Sequence, residues 1–373
     1  MPHRDAPEVT TRVGRVRGVW REGSAAFLGI PFAQAPVGPL RFAAPVAPEP
    51  WEGVRDATSP GPTPQRGEAG ITLIPEPSVP GESTLNVNVF TPQPADGAAL
   101  PVLVYIHGGG YVSGSPASPW YDGAAFARDG IVTVTLSYRL GFDGFGFVDG
   151  APHNRGVRDW LAALEWVRHE IAAFGGDPDR VTIAGQSAGG GAVLTLLGMP
   201  AAQHLFHSAC AISAALGDVP ADAARQRSAR LAALAGVSAD RAGFASVDEL
   251  VLRDLQHQAE NAPSCDRLAP VRAMLAEGAG WGPMVDGELL TRPTVESIAA
   301  GTGSDKPLVL GATDDEFTMV LESLPRVLTL VPAGLVLGRL GLAGRARRAY
   351  LAANRQQRRR GTAALLGRFV TDR

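Results

Sequence analysis

The sequence has few of the residues that mark redox, metal-binding or membrane proteins. Its 373 residues include two cysteines and a single lysine, Lys306. Cys210 and Cys265 are far apart and fit no metal or redox spacing, so neither a metal site nor a cofactor is expected. The N-terminus has no signal-peptide core, and no apolar run is long enough to cross a bilayer. These absences predict a cytoplasmic protein.

The charge balance argues against nucleic acid and membrane surfaces as partners. The formal net charge is −3, with 34 basic and 37 acidic residues, which gives no bulk attraction to polyanions. Two arginine-rich stretches, 345–348 and 358–360, lack interleaved aromatic residues and follow helical spacing. A solvated helix face explains them better than a nucleic-acid patch. No partner protein is evident either.

The order of strand and helix patterns predicts an α/β fold. The runs 101–106 and 131–136 are almost wholly apolar, as strands covered on both faces are. Apolar residues between 157 and 174 step by three and four, which indicates an amphipathic helix, and a strand follows at 181–184. We therefore expect one domain over 1–373, with a mostly parallel central sheet and helices on both faces.

Two further segments complete this expected fold. Short β-type runs between 11 and 28 predict an antiparallel hairpin at the sheet edge. From about 216 to 281 the composition shifts to alanine, arginine and aspartate with helical spacing. We interpret this segment as a helical cap inserted over the sheet.

The most informative stretch is the turn that follows the strand at 181–184. Gly185-Gln186-Ser187-Ala188-Gly189 has the form of a nucleophile elbow, in which a serine sits on a tight strand-to-helix turn between two glycines. Such a turn exposes the Ser187 hydroxyl and aims the N–H of Ala188 at a developing oxyanion. On its own, the same pattern also fits an ordinary glycine-rich turn, because the chain contains 45 glycines.

A second motif decides between these two interpretations. His107-Gly108-Gly109-Gly110 directly follows the strand 101–106, and successive glycines let backbone N–H groups converge on one anionic oxygen. A phosphate-binding loop would be followed by the N-terminus of a helix and usually by a lysine, serine or threonine there, and the glycine-containing run Tyr111-Val112-Ser113-Gly114-Ser115 does not fit this pattern. The loop precedes the elbow, as it does in α/β-hydrolases, so Ser187 is predicted to be a catalytic nucleophile.

Together these motifs resemble the type-B carboxylesterase family of α/β-hydrolases, to which the cholinesterases belong. The segments that carry the resemblance follow the family's order: Gly29–Ala33, Pro39–Phe42, Trp51, the His107 loop, Ser137–Gly141, Asn154–Asp159, Phe174–Pro178, the elbow, Pro283–Gly287 and Gly311–Glu316. The resemblance implies an esterase with Ser187 as nucleophile and Glu316 as the acid that orients a histidine. It also implies an oxyanion hole formed by the N–H groups of Gly109, Gly110 and Ala188.

Glu316 has an independent argument as well. It follows a predicted strand, at the end of the sheet where α/β folds place ligand-facing groups. The neighbouring Asp314 and Asp315 leave open the alternative that Glu316 is simply a solvated carboxylate. Asp159, by contrast, is interpreted as a structural hydrogen-bonding group.

The sequence departs from the family at the general base. The family places its catalytic histidine after the acid, but no histidine follows His257, so this chain has no triad histidine at the expected place. His257 itself would serve only in a rearranged triad. The resemblance suggests that the sequence is a fragment or a truncated product that lacks the C-terminal part of the sheet, with impaired activity and an exposed edge strand before Glu316.

Smaller departures bear on the substrate. Thr63 and Thr84 stand where the family commonly has a cysteine pair, and the loop between them has no aromatic residue for binding quaternary ammonium. Gln186 replaces the family's usual glutamate beside the nucleophile. A neutral carboxylic ester is therefore the expected substrate. The alternative function is a non-catalytic, cholinesterase-like protein-interaction module, against which the presence of Ser187, both loop glycines and Glu316 argues.

Overall fold

The computed structural model divides the chain into two compact units. It describes residues 5–67, 74–95, 97–260, 268, 272, 280–316 and 331–372. The first unit comprises Met1–Glu260 and Ala279–Leu310, and the second comprises Asn261–Gly278 and Gly311–Arg373. The single domain that the sequence suggests for 1–373 stays a prediction.

The strands of the described residues are distributed over three sheets. They are β1 (Glu8–Thr10), β2 (Arg15–Arg17), β3 (Val19–Arg21), β4 (Ser24–Pro31), β5 (Val54–Asp56), β6 (Asn86–Thr91), β7 (Leu100–Ile106), β8 (Val132–Leu136), β9 (Gly176–Gln186), β10 (Ser208–Ile212), β11 (Val219–Pro220), β12 (Met284–Val285) and β13 (Leu308–Gly311). The main sheet has eight strands in the order β13-β10-β9-β7-β8-β6-β4-β3.

The middle of the main sheet is parallel, as the sequence predicts. Strands β10, β9, β7 and β8 pair in parallel, whereas β6, β4 and β3 continue the sheet in antiparallel fashion. The apolar runs of β7 and β8 bury Val102, Val104, Val132 and Val134 in one core, which explains their lack of polar alternation. Strand β13, which stands first in this order, leaves Val309 and Leu310 exposed at one edge of the sheet.

The N-terminal strands differ in one respect from the expected hairpin. The antiparallel hairpin is formed by β3 and β4 at the sheet edge. Strand β2 instead lies between β1 and β5 and pairs with both in a separate three-stranded sheet. The backbone N–H of Gly18, between β2 and β3, is held by the carbonyl of Pro7 at 2.8 Å. The pairing of β2 with β5, which is distant in sequence, thus puts β2 and β3 in different sheets. The alternation of apolar and polar residues does not reveal this division.

The helices divide between the two units. The first unit has α1 (Ala124–Arg128), α2 (Gly141–Phe145), α3 (Arg155–Glu170), α4 (Ala188–Leu197), α5 (Ala221–Ala235), α6 (Arg241–Ala245), α7 (Glu249–Glu260) and α8 (Thr294–Ala299). The second unit has α9 (Ala333–Arg339), α10 (Gly344–Ala353), α11 (Arg355–Arg360) and α12 (Thr362–Thr371). Among the residues described above, no helix is both long and apolar enough to traverse a bilayer.

The segment predicted as a helical cap begins with a short strand rather than a helix. Strand β11 pairs in parallel with β12, so the start of this segment lies beside the strand that follows its end, and both strands belong to the first unit. Helices α5, α6 and α7 lie between these strands in sequence. The stretch 261–278, near the end of the predicted cap, belongs to the second unit. Apart from Leu268 and Arg272, it lies outside the described residues.

The core of the first unit contains a buried ion pair. Arg139 and Asp159 form a two-pronged contact, with Arg139 Nε to Asp159 Oδ2 at 2.9 Å and Nη2 to Oδ1 at 2.7 Å. Their side chains are 4% and 0% exposed. Arg139 Nη1 also donates to the carbonyls of Arg41 and Ala43. Asp159 therefore has the structural role that the sequence suggests, because it neutralises a buried guanidinium.

Candidate active site

Sheet register brings the two predicted motifs to one place. Strands β7 and β9 are neighbours, and Ile106 at the end of β7 lies opposite Gly185 near the end of β9. Because the strands are parallel, the His107 loop and the elbow leave the sheet at the same edge. This carboxyl edge is where open α/β sheets place their ligand sites.

Ser187 has the backbone conformation of a nucleophile elbow. It stands between β9 and α4 with φ 57° and ψ −122°, a conformation that non-glycine residues seldom adopt. Such strain costs on the order of 1–3 kcal/mol and persists only where neighbours enforce it. Here the Ser187 N–H donates to Ile212 O at 3.0 Å, and its carbonyl accepts from the N–H groups of Gly191 and Ala215. The half-buried serine is thus fixed on both sides.

The glycines of the elbow are required by close backbone contacts. A Cβ on Gly185 would lie 2.4 Å from the carbonyl of Gly189, and one on Gly189 would lie 2.0 Å from Ile106 O. The sequence also continues with Gly190 and Gly191, whose importance the motif does not indicate. A Cβ on Gly191 would approach Ala215 O to 2.0 Å. Helix α4 therefore packs so closely against the sheet and the loop after β10 that side chains at Gly189 and Gly191 would not fit.

The glycine loop lies against the elbow. A Cβ on Gly108 would be 2.8 Å from Gln186 O and 3.3 Å from Ser187 Cβ, so the loop backbone approaches the serine directly. Gly109 and Gly110 have φ of 109° and 61°, which side chains disfavour. Gly110 is exposed and Gly109 half-buried. The loop thus meets the elbow at Gly108, directly before Gly109 and Gly110, whose role as oxyanion donors remains a prediction.

Ala188 begins helix α4, and its role as an oxyanion donor stays a prediction. It directly follows the strained serine. The N–H groups of the first helical turn have no partner within the helix, and they carry the positive end of the helix dipole. The Ala188 N–H is therefore suited to stabilise an anionic oxygen beside Ser187.

His107 supports the loop and is not a candidate general base. Its Nδ1 lies 2.8 Å from Gly108 O, and its ring stacks on Tyr138 at a centroid distance of 4.5 Å. Complete burial lowers the pKa of His107 to about 4, and the bond to Gly108 offsets this only in part. The imidazole is therefore neutral at pH 7. Since a carbonyl oxygen can only accept, Nδ1 carries the proton.

The depressed pKa of His107 predicts acid sensitivity. The unfolded chain binds a proton near pH 6.5, but the folded chain does so only near pH 4. Stability is therefore complete above pH 6.5 and falls as the pH drops from 6.5 to 4, by about 3 kcal/mol. Urea unfolding should show this loss in the wild type and much less of it in His107→Asn, whose amide still donates to Gly108. Equal pH dependence in both proteins would contradict this assignment.

The other described histidines have partners elsewhere in the first unit. His169 and His204 lie near Glu165, at 3.8 and 3.0 Å. His207 Nδ1 accepts from the Val181 N–H, His153 stacks on Phe147, and the exposed His257 lies 3.6 Å from Glu260. Within the described ranges, none of these histidines hydrogen-bonds to the Ser187 hydroxyl.

Glu316 belongs to the second unit, whereas Ser187 and the glycine loop belong to the first. It follows β13 by a few residues, as expected, and its carboxylate accepts a hydrogen bond from the Thr313 N–H at 2.6 Å. The adjacent Asp314 and Asp315 form ion pairs with Arg368 and Arg360. The assignment of Glu316 as the triad acid stays a prediction.

A cavity of about 460 Å³ adjoins the glycine loop. Val112 and Ser113 line one side of it, next to Gly110 in sequence, and α7 contributes several charged residues. These charges are paired: Arg66 lies 3.4 Å from Glu249, and Arg253 lies 2.8 Å from Asp254. The cavity therefore combines apolar and paired charged side chains and has no dominant charge. Among the described residues, no cluster of three or more histidine, cysteine or acidic side chains is suited to hold a metal ion.

The serine has a strained backbone between a strand and a helix, and the glycine loop beside it follows the neighbouring parallel strand. This arrangement defines an α/β-hydrolase site. The carboxylesterase family model matches residues 5–332, and the chain belongs to this family. The predicted family and fold are thereby confirmed.

Individual relatives agree with this assignment. The para-nitrobenzyl esterase of Bacillus subtilis (strain 168) is 38% identical over 320 residues, which cover 83% of this chain and 62% of that protein. An acylcarnitine hydrolase of Rattus norvegicus is 39% identical over 338 residues, covering 84% of this chain and 57% of that protein. The chain thus spans about three-fifths of the length of these curated relatives.

Solved structures show the same fold. A PNB esterase structure superimposes with a TM-score of 0.72 at 36% identity, covering 84% of this chain and 64% of the other. The Geobacillus stearothermophilus carboxylesterase EST55 at pH 6.2 superimposes with a TM-score of 0.73 at 34% identity, covering 97% and 76%.

Proposed function

We propose that this protein is a serine carboxylesterase that hydrolyses neutral carboxylic esters through an acyl-enzyme on Ser187. The Ser187 oxygen attacks the ester carbonyl, and the carbonyl oxygen becomes an oxyanion held by the N–H groups of Gly109, Gly110 and Ala188. Collapse of this intermediate expels the alkoxide, which leaves as the alcohol after taking up the proton that the Ser187 hydroxyl lost on attack. Water then attacks the acyl group, releasing the acid and restoring the serine hydroxyl.

The observation that carries this proposal is the strained, partly exposed backbone of Ser187 in contact with the glycine loop. Its φ of 57° is maintained by hydrogen bonds on both sides, and Gly108 has no room for a Cβ against Ser187. A structural turn would not need this combination, whereas an acyl-transfer site needs a nucleophile and N–H donors within reach of one oxygen.

A neutral substrate fits the cavity that adjoins the glycine loop. The charged residues beside the loop are paired with one another, and Gln186 adds no charge next to the nucleophile. A substrate carrying a net charge would find no unmatched counter-ion among the described residues of the cavity. We therefore extend the proposal to neutral esters.

We further propose that Glu316 orients the general base in the active enzyme, and that the isolated 373-residue chain turns over slowly. No histidine follows Glu316 in its sequence. Loss of a triad histidine lowers kcat by about 10⁶-fold, and the oxyanion hole and binding supply the residual catalysis. The same loss slows both acylation and deacylation. An activated ester, whose leaving group departs without being protonated, acylates the serine faster than water releases the acyl group, so a trapped acyl group is the product to look for.

The test is intact-mass and peptide analysis after incubation with p-nitrophenyl acetate. We expect an acetyl adduct on Ser187, which is absent in Ser187→Ala and retained in Ser304→Ala, a matched removal of an exposed hydroxyl. Equal p-nitrophenol release by wild type and Ser187→Ala, without an adduct, would refute the proposal and favour the interaction module instead. Turnover at ordinary esterase rates would refute only the impairment.

A further inference from the structure

We propose that the hydroxyl of Ser113 is a positioning group that fixes the direction of the Gly110 N–H in the oxyanion hole. This inference rests on the proposed function, in which Gly110 is a donor. Ser113 does not touch the reacting atoms. It acts on the other end of the peptide group that carries the Gly110 N–H.

The carbonyl oxygen of Gly109 accepts three hydrogen bonds from the turn that follows it. This oxygen accepts from Ser113 Oγ at 3.0 Å, from the Ser113 N–H at 3.0 Å and from the Val112 N–H at 3.1 Å. A carbonyl oxygen has two lone pairs, so these donors saturate it. The carbonyl is thus held towards the turn formed by residues 109–113.

Peptide geometry transmits this hold to the active site. The Gly109 carbonyl and the Gly110 N–H belong to one planar trans peptide group, so they point in opposite directions. Fixing the carbonyl towards Ser113 therefore fixes the N–H away from it. The constraint matters here because both flanking residues are glycines, which rotate with little steric resistance.

The preceding peptide group is held in the same way by another side chain. His107 Nδ1 donates to Gly108 O at 2.8 Å, and the opposite end of that peptide group is the Gly109 N–H. The two predicted loop donors are thus each fixed by a side chain that hydrogen-bonds to the carbonyl of the same peptide group. Ser113 is the half-buried member of this pair and can be altered without opening the core.

The functional test is the single-turnover acetylation of Ser187 by p-nitrophenyl acetate. In Ser113→Ala we expect the acylation rate constant to fall about tenfold, with the dissociation constant for the ester unchanged. This loss is smaller than the 10²- to 10³-fold typical of deleting an oxyanion donor, because Ser113→Ala leaves every proposed oxyanion N–H in the protein and the Val112 and Ser113 N–H groups still hold the Gly109 carbonyl. Ser113→Thr keeps the hydroxyl and should restore most of the rate. Ser118→Ala, which removes a hydroxyl that accepts from Trp120 in the same region, should match the wild type.

A second measurement requires no chemistry at Ser187. Hydrogen–deuterium exchange should accelerate in Ser113→Ala at the Val112 and Ser113 amides, which donate to Gly109, and should stay slow in Ser113→Thr and Ser118→Ala. Unchanged exchange would overturn the inference, as would an unchanged acylation rate in a reactive protein or equal losses in Ser113→Ala and Ser113→Thr. If exchange responds but Ser187 is never acylated, the Ser113 anchor stands and the proposed function fails.

Discussion

Gly189→Ala is expected to destabilise the first unit by about 3 kcal/mol and to abolish acetylation of Ser187. The added Cβ would lie 2.0 Å from Ile106 O, a backbone atom of β7 that moves only if the sheet moves. Alanine would normally stabilise a helix relative to glycine by about 1 kcal/mol, so helix propensity predicts the opposite sign. Overpacking usually destabilises a protein by about 1–3 kcal/mol, and a collision with backbone atoms lies at the upper end of that range. This cost is larger than the gain in helix propensity, so Gly189→Ala is destabilising.

Urea unfolding with acetyl-adduct mapping measures both effects. Gly311→Ala is the matched control, because its Cβ would meet nothing within 4 Å and its backbone tolerates a side chain. We expect the control to unfold at the wild-type urea concentration. A Gly189→Ala protein that is as stable as wild type, or still acetylated at Ser187, would show that helix α4 shifts to make room.

Asp159→Asn is expected to destabilise the protein by about 3–5 kcal/mol, because it leaves the Arg139 guanidinium buried without a counter-ion. The amide preserves the shape of the side chain, so the loss reports charge rather than packing. Both partners are at most 4% exposed, and water cannot replace the lost carboxylate. Ser187 should keep its geometry in any fraction that remains folded.

The matched control is the same substitution in an exposed pair. Asp222 lies 3.3 Å from Arg225, with side chains 86% and 60% exposed, and Asp222→Asn should change stability by less than about 0.5 kcal/mol. Equal urea midpoints for Asp159→Asn and Asp222→Asn would mean that burial of the Arg139 pair has little energetic weight.

The elbow was predictable from the sequence because its requirements are local. The turn needs glycine two residues before and two residues after Ser187, and Gly185 and Gly189 stand at these positions. A strand pattern directly precedes the turn, and a helix pattern directly follows it. The parallel middle of the sheet was predictable for a similar reason, since continuous apolar runs such as 131–136 indicate strands covered on both faces.

The remaining features depend on contacts between distant parts of the chain. Position 191 must be glycine because a Cβ there would collide with the carbonyl oxygen of Ala215. Strand β1 lies outside the main sheet because its partner β2 pairs with β5. The anchoring of Gly109 by Ser113 is close in sequence, but it depends on a turn whose path follows no periodic pattern. Neither hydrophobic spacing nor motif matching carries such information.

The buried hydroxyl of Tyr111 connects the two halves of the site. It donates to Ala215 O at 2.7 Å, and the N–H of Ala215 donates to Ser187 O at 3.0 Å. Glycine loop and elbow are thereby joined through one short relay of hydrogen bonds. The proposed N–H donors and the proposed nucleophile thus belong to one hydrogen-bonded frame, and in the proposed reaction little reorganisation energy is spent on aligning them when a substrate arrives.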